Sequence, residues 1–277
     1  IANILRRHGL TTGKKRRGKL VRCPPAIQTE AAHPNHVWGV DFKGWFLLAN
    51  DERCDPLTVS DLHSRMVLCC KAMRNQQWRP VKKAFIQVFK RYGLPEIIRV
   101  DNGVPFGSVG AQGLSKLSIW WISLGIKVEY TRPGKPQDNG CHERMHKTLK
   151  AEAIKPPSPN FRAQQRRFDR WRKEFNEVRP HESLEQVCPA DLYHVSEKRY
   201  CGSDTQVEYN ERFKKVFVRE NGSIQHDKNS YYIGDAFAGV HVGLLKINRL
   251  TTEVYYANIR LGRLIRNKNR KDPFRPP

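Results

Sequence analysis

The strongest constraint on this chain's fold is the order in which its hydrophobic period changes. In "HVWGVDFKGWF", Trp38, Val40 and Phe42 alternate with Val37, Gly39 and Asp41. That is the period of a strand, with Asp41 on the face opposite Val40. "PLTVSDLHSRMVLCCKAM" reads as two more strands around a turn near Asp61–Ser64, completing an antiparallel meander. The period then lengthens. In "RPVKKAFIQVFKRYG", Val81, Phe85, Val88, Phe89 and Tyr92 form one helical stripe, with Pro80 in the first turn and Gly93 at the stop. "EIIRV" follows as a buried strand, "LSKLSIWWISLG" as a helix and "IKVEYTR" as a fifth strand. "PGKPQDNG" reads as a mobile loop before the helix "CHERMHKTLKAEAI" and the long basic helix "NFRAQQRRFDRWRKEFNEVRP". Three antiparallel strands followed by alternating helices and strands predict an α/β fold, a mixed five-stranded sheet flanked by helices.

The flanks have a different texture. "IANILRRHGL" reads as the end of a short helix running into the basic, Pro-terminated stretch "TTGKKRRGKLVRCPP", and Ile1 as a start inside a longer protein. From about Val207, short strand-like pieces and the Asn221-Gly222 hairpin signal predict a small, separate C-terminal β-barrel. The expected boundaries are 1–30, 31–198 and 199–277.

Charge points to the partner. Fifty Lys and Arg against 27 Asp and Glu give a net +23, a surplus that favours a polyanion. It is concentrated in residues 1–22, which include Arg16 and Arg17, in 162–173 and in 260–275. No apolar run reaches membrane-spanning length and none resembles a signal peptide, so no membrane partner is expected. The seven scattered cysteines predict neither a disulfide framework nor a structural zinc, and fit a reducing interior. The ten histidines show no metal spacing and are assigned no ligand role. Trp120, Trp121 and Trp171 sit at helical positions where aromatics are core.

Three carboxylates stand out. Asp41 lies in the first strand, Asp101 ends the fourth, and Glu143 opens the third helix. Singly, they admit plain roles as a solvent-facing strand residue, a turn residue and a dipole-favoured acid. Together, the topology makes the first and fourth strands neighbours, and two carboxylates that close need a cation between them. Hard oxygen donors suit Mg²⁺ or Mn²⁺, and a pair of such ions supports phosphoryl transfer. Lys147 and Lys150 follow Glu143 at i+4 and i+7 on one helix face, either as a surface ion-pair stripe or as phosphate ligands.

"WGVDFKGWF", "GLPEIIRVDNGVPF", "GIKVEYTRPGKPQDNGCHERMHKTLK" and "FNEVRPHESLEQVCPADLY" resemble the integrase core of bacterial insertion-sequence transposases, which group with retroviral integrases as acidic-triad (DDE) transposases. The resemblance implies a ribonuclease-H-like fold with Asp41, Asp101 and Glu143 as the catalytic, metal-binding triad for two Mg²⁺ or Mn²⁺ ions. It also implies DNA contacts by Lys147 and Lys150, and places Asn102 and Gln137 beside the site. His146 stands where many relatives carry Asn. The N-terminal segment resembles the end of a helix-turn-helix module. The implied activity is cleavage at transposon ends and transfer of the 3′-hydroxyl into double-stranded target DNA by a homodimer or larger multimer. It would work inside the cell, in the cytoplasm or at the nucleoid. A ribonuclease-H-like nuclease that cleaves without joining, and a non-catalytic DNA-binding descendant, are the alternatives.

Overall fold

The structure, a computed structural model, describes residues 28–132, 140–202, 206–265 and 274. Its main sheet uses β1 (Val37–Phe42), β2 (Phe46–Leu47), β3 (Arg53–Asp61), β4 (Val67–Met73), β5 (Ile97–Val100) and β6 (Lys127–Tyr130). The order is β4-β3-β1-β5-β6, with short β2 also paired to β3. β4, β3 and β1 run antiparallel, and β1, β5 and β6 run parallel. This is the expected mixed sheet with one added two-residue strand.

Alternation decides which side chains enter which layer. Trp38 and Val40 of β1 and Leu57 and Val59 of β3 point to one face. There they bury against α1 (Trp78–Tyr92) and α2 (Lys116–Ser123), with Phe85, Phe89, Trp120 and Trp121 filling the layer. The five stripe residues of α1 are all buried. Gly93 closes that helix at φ 79°, where a Cβ would lie 2.8 Å from the Lys198 carbonyl oxygen. Ser115 caps α2, accepting from the Ser118 amide while Ser118 Oγ accepts from the Ser115 amide.

The opposite face carries α3 (Gly140–Leu149), a π turn over Lys150–Ile154, and α4 (Phe161–Glu177). Met145, Leu149, Ala153, Ile154, Phe168, Trp171 and Phe175 pack there against Cys54, Val67 and Cys70. Asn176 pins α4 to the sheet: its Oδ1 accepts from the Val67 amide at 2.8 Å and its Nδ2 donates to the Val67 carbonyl at 2.9 Å. A one-turn helix, α5 (Pro189–Leu192), follows.

The C-terminal unit is all-β. β7 (Phe213–Phe217), β10 (His241–Lys246), β11 (Thr251–Tyr256) and β12 (Ile259–Ile265) form an antiparallel sheet in the order β12-β11-β10-β7. β8 (Ser223–His226) and β9 (Asn229–Tyr232) form a hairpin of their own. These ladders are open, so the expected closed barrel is not formed by strand pairing among the described residues. Nor does this unit have a core to itself. Ala111, Leu114, Ile119 and Ile122 pack with Phe237, Val254, Tyr256 and Leu261 in one cluster. Tyr256 Oη donates to the Ile119 carbonyl at 3.1 Å. Helix α2 thus offers one face to the main sheet and the other to the C-terminal strands. No described helix is long and apolar enough to cross a membrane.

Candidate active site

β1 and β5 are parallel, with Val37 opposite Ile97, Trp38 opposite Ile98 and Gly39 opposite Arg99. Carried two residues further, this register puts Asp41 level with Asp101, one residue past the end of β5. Parallel neighbours at one level point their side chains to the same face. For Asp41 that is the α3 face, because Trp38 and Val40 occupy the other. Asp101 stays at the strand tip because its Oδ1 accepts the Gly103 amide at 3.1 Å. Asp101 remains exposed, but partial desolvation of its carboxyl pushes its pKa up, and the Gly103 hydrogen bond opposes this. Asn102 braces the same tip, its Nδ2 donating to the Thr131 carbonyl at 2.8 Å.

Helix α3 reaches this corner through two histidines. His142 and His146 are buried and one turn apart, their rings 5.6 Å apart and edge-on. His142 lies over Gly39, where an added Cβ would be 2.4 Å from its Cε1. Glycine is what lets the helix come this close. His142 Nε2 is 3.4 Å from Ser60 Oγ, and His146 Nε2 is 2.8 Å from Thr58 Oγ1. Thr58 and Ser60 sit opposite Asp41 and Gly39 on β3, so the seam between sheet and helix is polar and hydrogen-bonded.

His146 Nδ1 lies 3.8 Å from Asp41 Oδ2. This is not an ion pair. Burial, then the charges of His142 and Lys43, hold the His146 imidazole down to about 3, and burial holds His142 down to about 4. Both rings are neutral at physiological pH. Glu143 is three residues before His146, on the neighbouring exposed part of the helix, and Lys147 and Lys150 are exposed on the same side. Residues three apart on a helix have Cβ atoms about 5–6 Å apart, so Glu143 lies one helical step from the His146–Asp41 contact.

The carboxylates are the hard oxygen donors that Mg²⁺ takes. Among the described residues, no three of His, Cys, Asp and Glu are gathered into a ready-made metal cage. Gln137, Arg16 and Arg17 lie outside the described residues. The three tryptophans are buried, as expected of core residues. The sequence reading passed over Gly39, Thr58, Ser60 and His142. The available signal was the i, i+4 histidine pair facing a strand that alternates Leu57, Val59 with Thr58, Ser60.

The chain is similar to several known proteins. Residues 31–136 match a model of the integrase core domain, and residues 124–189 match a second model with the same description. An uncharacterized 31.7 kDa protein of insertion element IS407 from Burkholderia multivorans is 25% identical over 193 residues, covering 69% of this chain and 67% of that protein. The Pol polyprotein of feline endogenous virus ECE1 is 29% identical over 141 residues, covering 48% of this chain and 12% of the polyprotein. Among solved structures, the simian T-cell lymphotropic virus intasome in complex with PP2A regulatory subunit B56 gamma superposes with a TM-score of 0.51 at 14% identity, covering 90% of this chain and 84% of that one. The last likeness is one of fold.

Proposed function

For a chain that belongs to the integrase-core family, the polynucleotidyl transferases that include insertion-sequence transposases and retroviral integrases, we propose metal-dependent cutting of transposon ends and their joining to target DNA. The observation that carries this reading is the parallel β1–β5 register, which, carried past Arg99, puts Asp41 level with Asp101 just beyond β5, with helix α3 docked on Asp41 through His146.

In this reading Asp41, Asp101 and Glu143 hold two Mg²⁺ or Mn²⁺ ions, which supply charge stabilisation to the attacking and leaving oxygens. Lys147 and Lys150, exposed on the Glu143 side of α3, hold the phosphates flanking the reacting bond. Asn102 fixes the tip that carries Asp101 by clasping Thr131. Water attacks a phosphodiester at the element end, and the bond to the 3′ oxygen breaks, freeing a 3′-hydroxyl. That hydroxyl attacks a target phosphodiester. One phosphorus–oxygen bond forms as another breaks, so no energy-rich cofactor enters. The strongly basic chain supports a double-stranded DNA partner, with segments 1–22, 162–173 and 260–275 along its backbone. Handling two ends requires a dimer or larger assembly. Residues 1–30 would end a helix-turn-helix module, 31–198 form the catalytic core and 199–277 a DNA-associated β unit, all acting inside the cell.

The test is Asp101→Asn in a plasmid integration assay with pre-cut ends. Mg²⁺-dependent joining is lost while DNA binding stays within about threefold. Undiminished joining by the variant overturns the site. Cutting without joined product by the wild type moves the function to a nuclease.

A further inference from the structure

The His146 contacts go beyond an inert packing role. Thr58 Oγ1 has one hydrogen, and it donates to the Asp41 main-chain carbonyl at 3.0 Å. The same oxygen lies 2.8 Å from His146 Nε2, so at that contact the hydroxyl accepts and His146 donates. The proton of the imidazole is therefore on Nε2. The opposite tautomer would turn the Thr58 hydroxyl onto Nε2, giving up its 3.0 Å bond to the Asp41 carbonyl for an Nδ1–H directed at Asp41 Oδ2 across 3.8 Å, too long to be a hydrogen bond. Nδ1 is left with its lone pair facing a carboxylate oxygen. Two electron-pair donors face each other at the corner where the sheet and the helix present their acids.

From this we infer that His146 Nδ1 is a nitrogen ligand to the cation held by Asp41, so that this chain's metal site is a mixed carboxylate–imidazole site. The inference rests on the reading of Asp41 as a metal carboxylate. The separation suits a shared ion. Two donors each about 2.1 Å from one ion are about 3.0 Å apart at a right angle, so the pair at 3.8 Å reaches a shared ion by closing about 0.8 Å. The surroundings also resemble those of a ligating histidine, whose second nitrogen is fixed by an outer hydrogen bond that sets the tautomer and the ring plane. Thr58 supplies that bond here. Thr58 also holds the Asp41 backbone, so one hydroxyl orients both donors. An imidazole nitrogen favours Mn²⁺ and later first-row ions over Mg²⁺, which prefers oxygen and a near-ideal octahedron.

The experiment uses the full chain loaded with Mn²⁺ alone and reads electron spin echo modulation from nitrogen bound directly to the metal. The wild type shows ¹⁴N modulation that changes to the ¹⁵N pattern when histidine is labelled. His146→Asn, whose amide ligates through oxygen, loses it. Titration calorimetry shows Mn²⁺ binding at least tenfold weaker in His146→Asn, while Mg²⁺ binding changes less than threefold. Circular dichroism confirms that the variant is folded, and the wild-type spectrum decides the matter even if it is not. Mn²⁺ binding that depends on Asp41 but shows no histidine nitrogen overturns this inference and leaves the proposed function standing. Mn²⁺ binding indifferent to Asp41→Asn, or no binding, overturns both.

Discussion

Gly39→Ala isolates the contact on which the site's assembly depends. The backbone at Gly39 is not in the left-handed region, so alanine meets no conformational penalty there. Removing a glycine restricts the unfolded chain and on its own stabilises by about 0.4–1 kcal/mol. Against this, the new methyl sits 2.4 Å from His142 Cε1 and 2.9 Å from Leu62 Cδ2. His142 is buried between Ser60 and His146 and has little room to turn. Overpacking of this kind costs about 1–3 kcal/mol. The net expectation is a loss of roughly 0.5–2 kcal/mol, read by thermal or urea unfolding as about 2–4 °C per kcal/mol for a domain near this size. The helix can also relieve the clash by lifting, which withdraws Glu143, so strand transfer falls by more than the stability loss explains. His142→Ala removes the loss. Without the ring only the flexible Leu62 Cδ2 at 2.9 Å must give way, so Gly39→Ala becomes neutral or stabilising by up to about 1 kcal/mol, and the double-mutant cycle shows a coupling of about 1 kcal/mol or more. A Gly39→Ala chain as stable as wild type, or equal effects of that change with and without His142, refutes the argument that this glycine exists to admit the helix.

Three other expectations follow from contacts distant from one another. Thr58→Val keeps the shape but leaves the buried His146 Nε2–H without its acceptor, costing about 1–3 kcal/mol in urea unfolding; a change below 0.5 kcal/mol refutes the tautomer. Burial pushes the Glu129 carboxyl up, but hydrogen bonds from Thr29, Lys127 and Arg99 outweigh it and hold the pKa below its ordinary value. Its stabilisation is therefore complete above the unfolded value of about 4.3 and is lost as pH falls through the lower folded value. Glu129→Gln strands the buried Arg99, whose side chain is 10% exposed, costing about 3 kcal/mol at pH 7, and the gap to wild type narrows below pH 4. A chain stopped after Gly202 uncovers Ile119 and Ile122, at about 1.5–3 kcal/mol per side chain. It binds a hydrophobic dye and melts earlier, and a wild-type melting temperature would show that the C-terminal sheet is a separate body after all.

Periodicity made the main sheet readable. Trp38 and Val40 alternate cleanly, and the α1 stripe is a 3.6-residue repeat with a glycine stop, so local signals and tertiary packing agree. The C-terminal unit was harder because its strands are short and its pairing is set by turns. The Asn221-Gly222 signal marks a real turn, with Gly222 at φ 71°, but β8 pairs with β9 rather than with β7. The turn that decides this is Asp227-Lys228, both at positive φ, and Lys is not a residue that announces such a conformation. Nor did the sequence show that α2 serves two cores. Between Lys116 and Ser123 at its ends, every residue from Leu117 to Ile122 is buried, and so wide a buried surface does not say how many neighbours it has.

The site divides along a similar line. Carboxylates are conspicuous, and chain topology alone makes Asp41 and Asp101 neighbours. The docking of the helix that carries the third acid rests on residues with little charge or size. Gly39 removes a methyl, Ser60 and Thr58 offer hydroxyls, and two neutral histidines dock the helix. Each is unremarkable in a strand or helix, because its meaning lies in a partner at least 82 residues away across the Ser60–His142 and Thr58–His146 contacts. The parallel ladder, which ends at Gly39 and Arg99, sets the level of two acids just beyond it, whereas the third depends on how a helix settles on a polar seam. In the proposed site a change in the seam would act through Glu143 without touching a carboxylate, which is why Gly39→Ala and Asp101→Asn are expected to fail in different ways. The first loses stability and activity together and is relieved by His142→Ala; the second loses activity in a chain that still binds DNA.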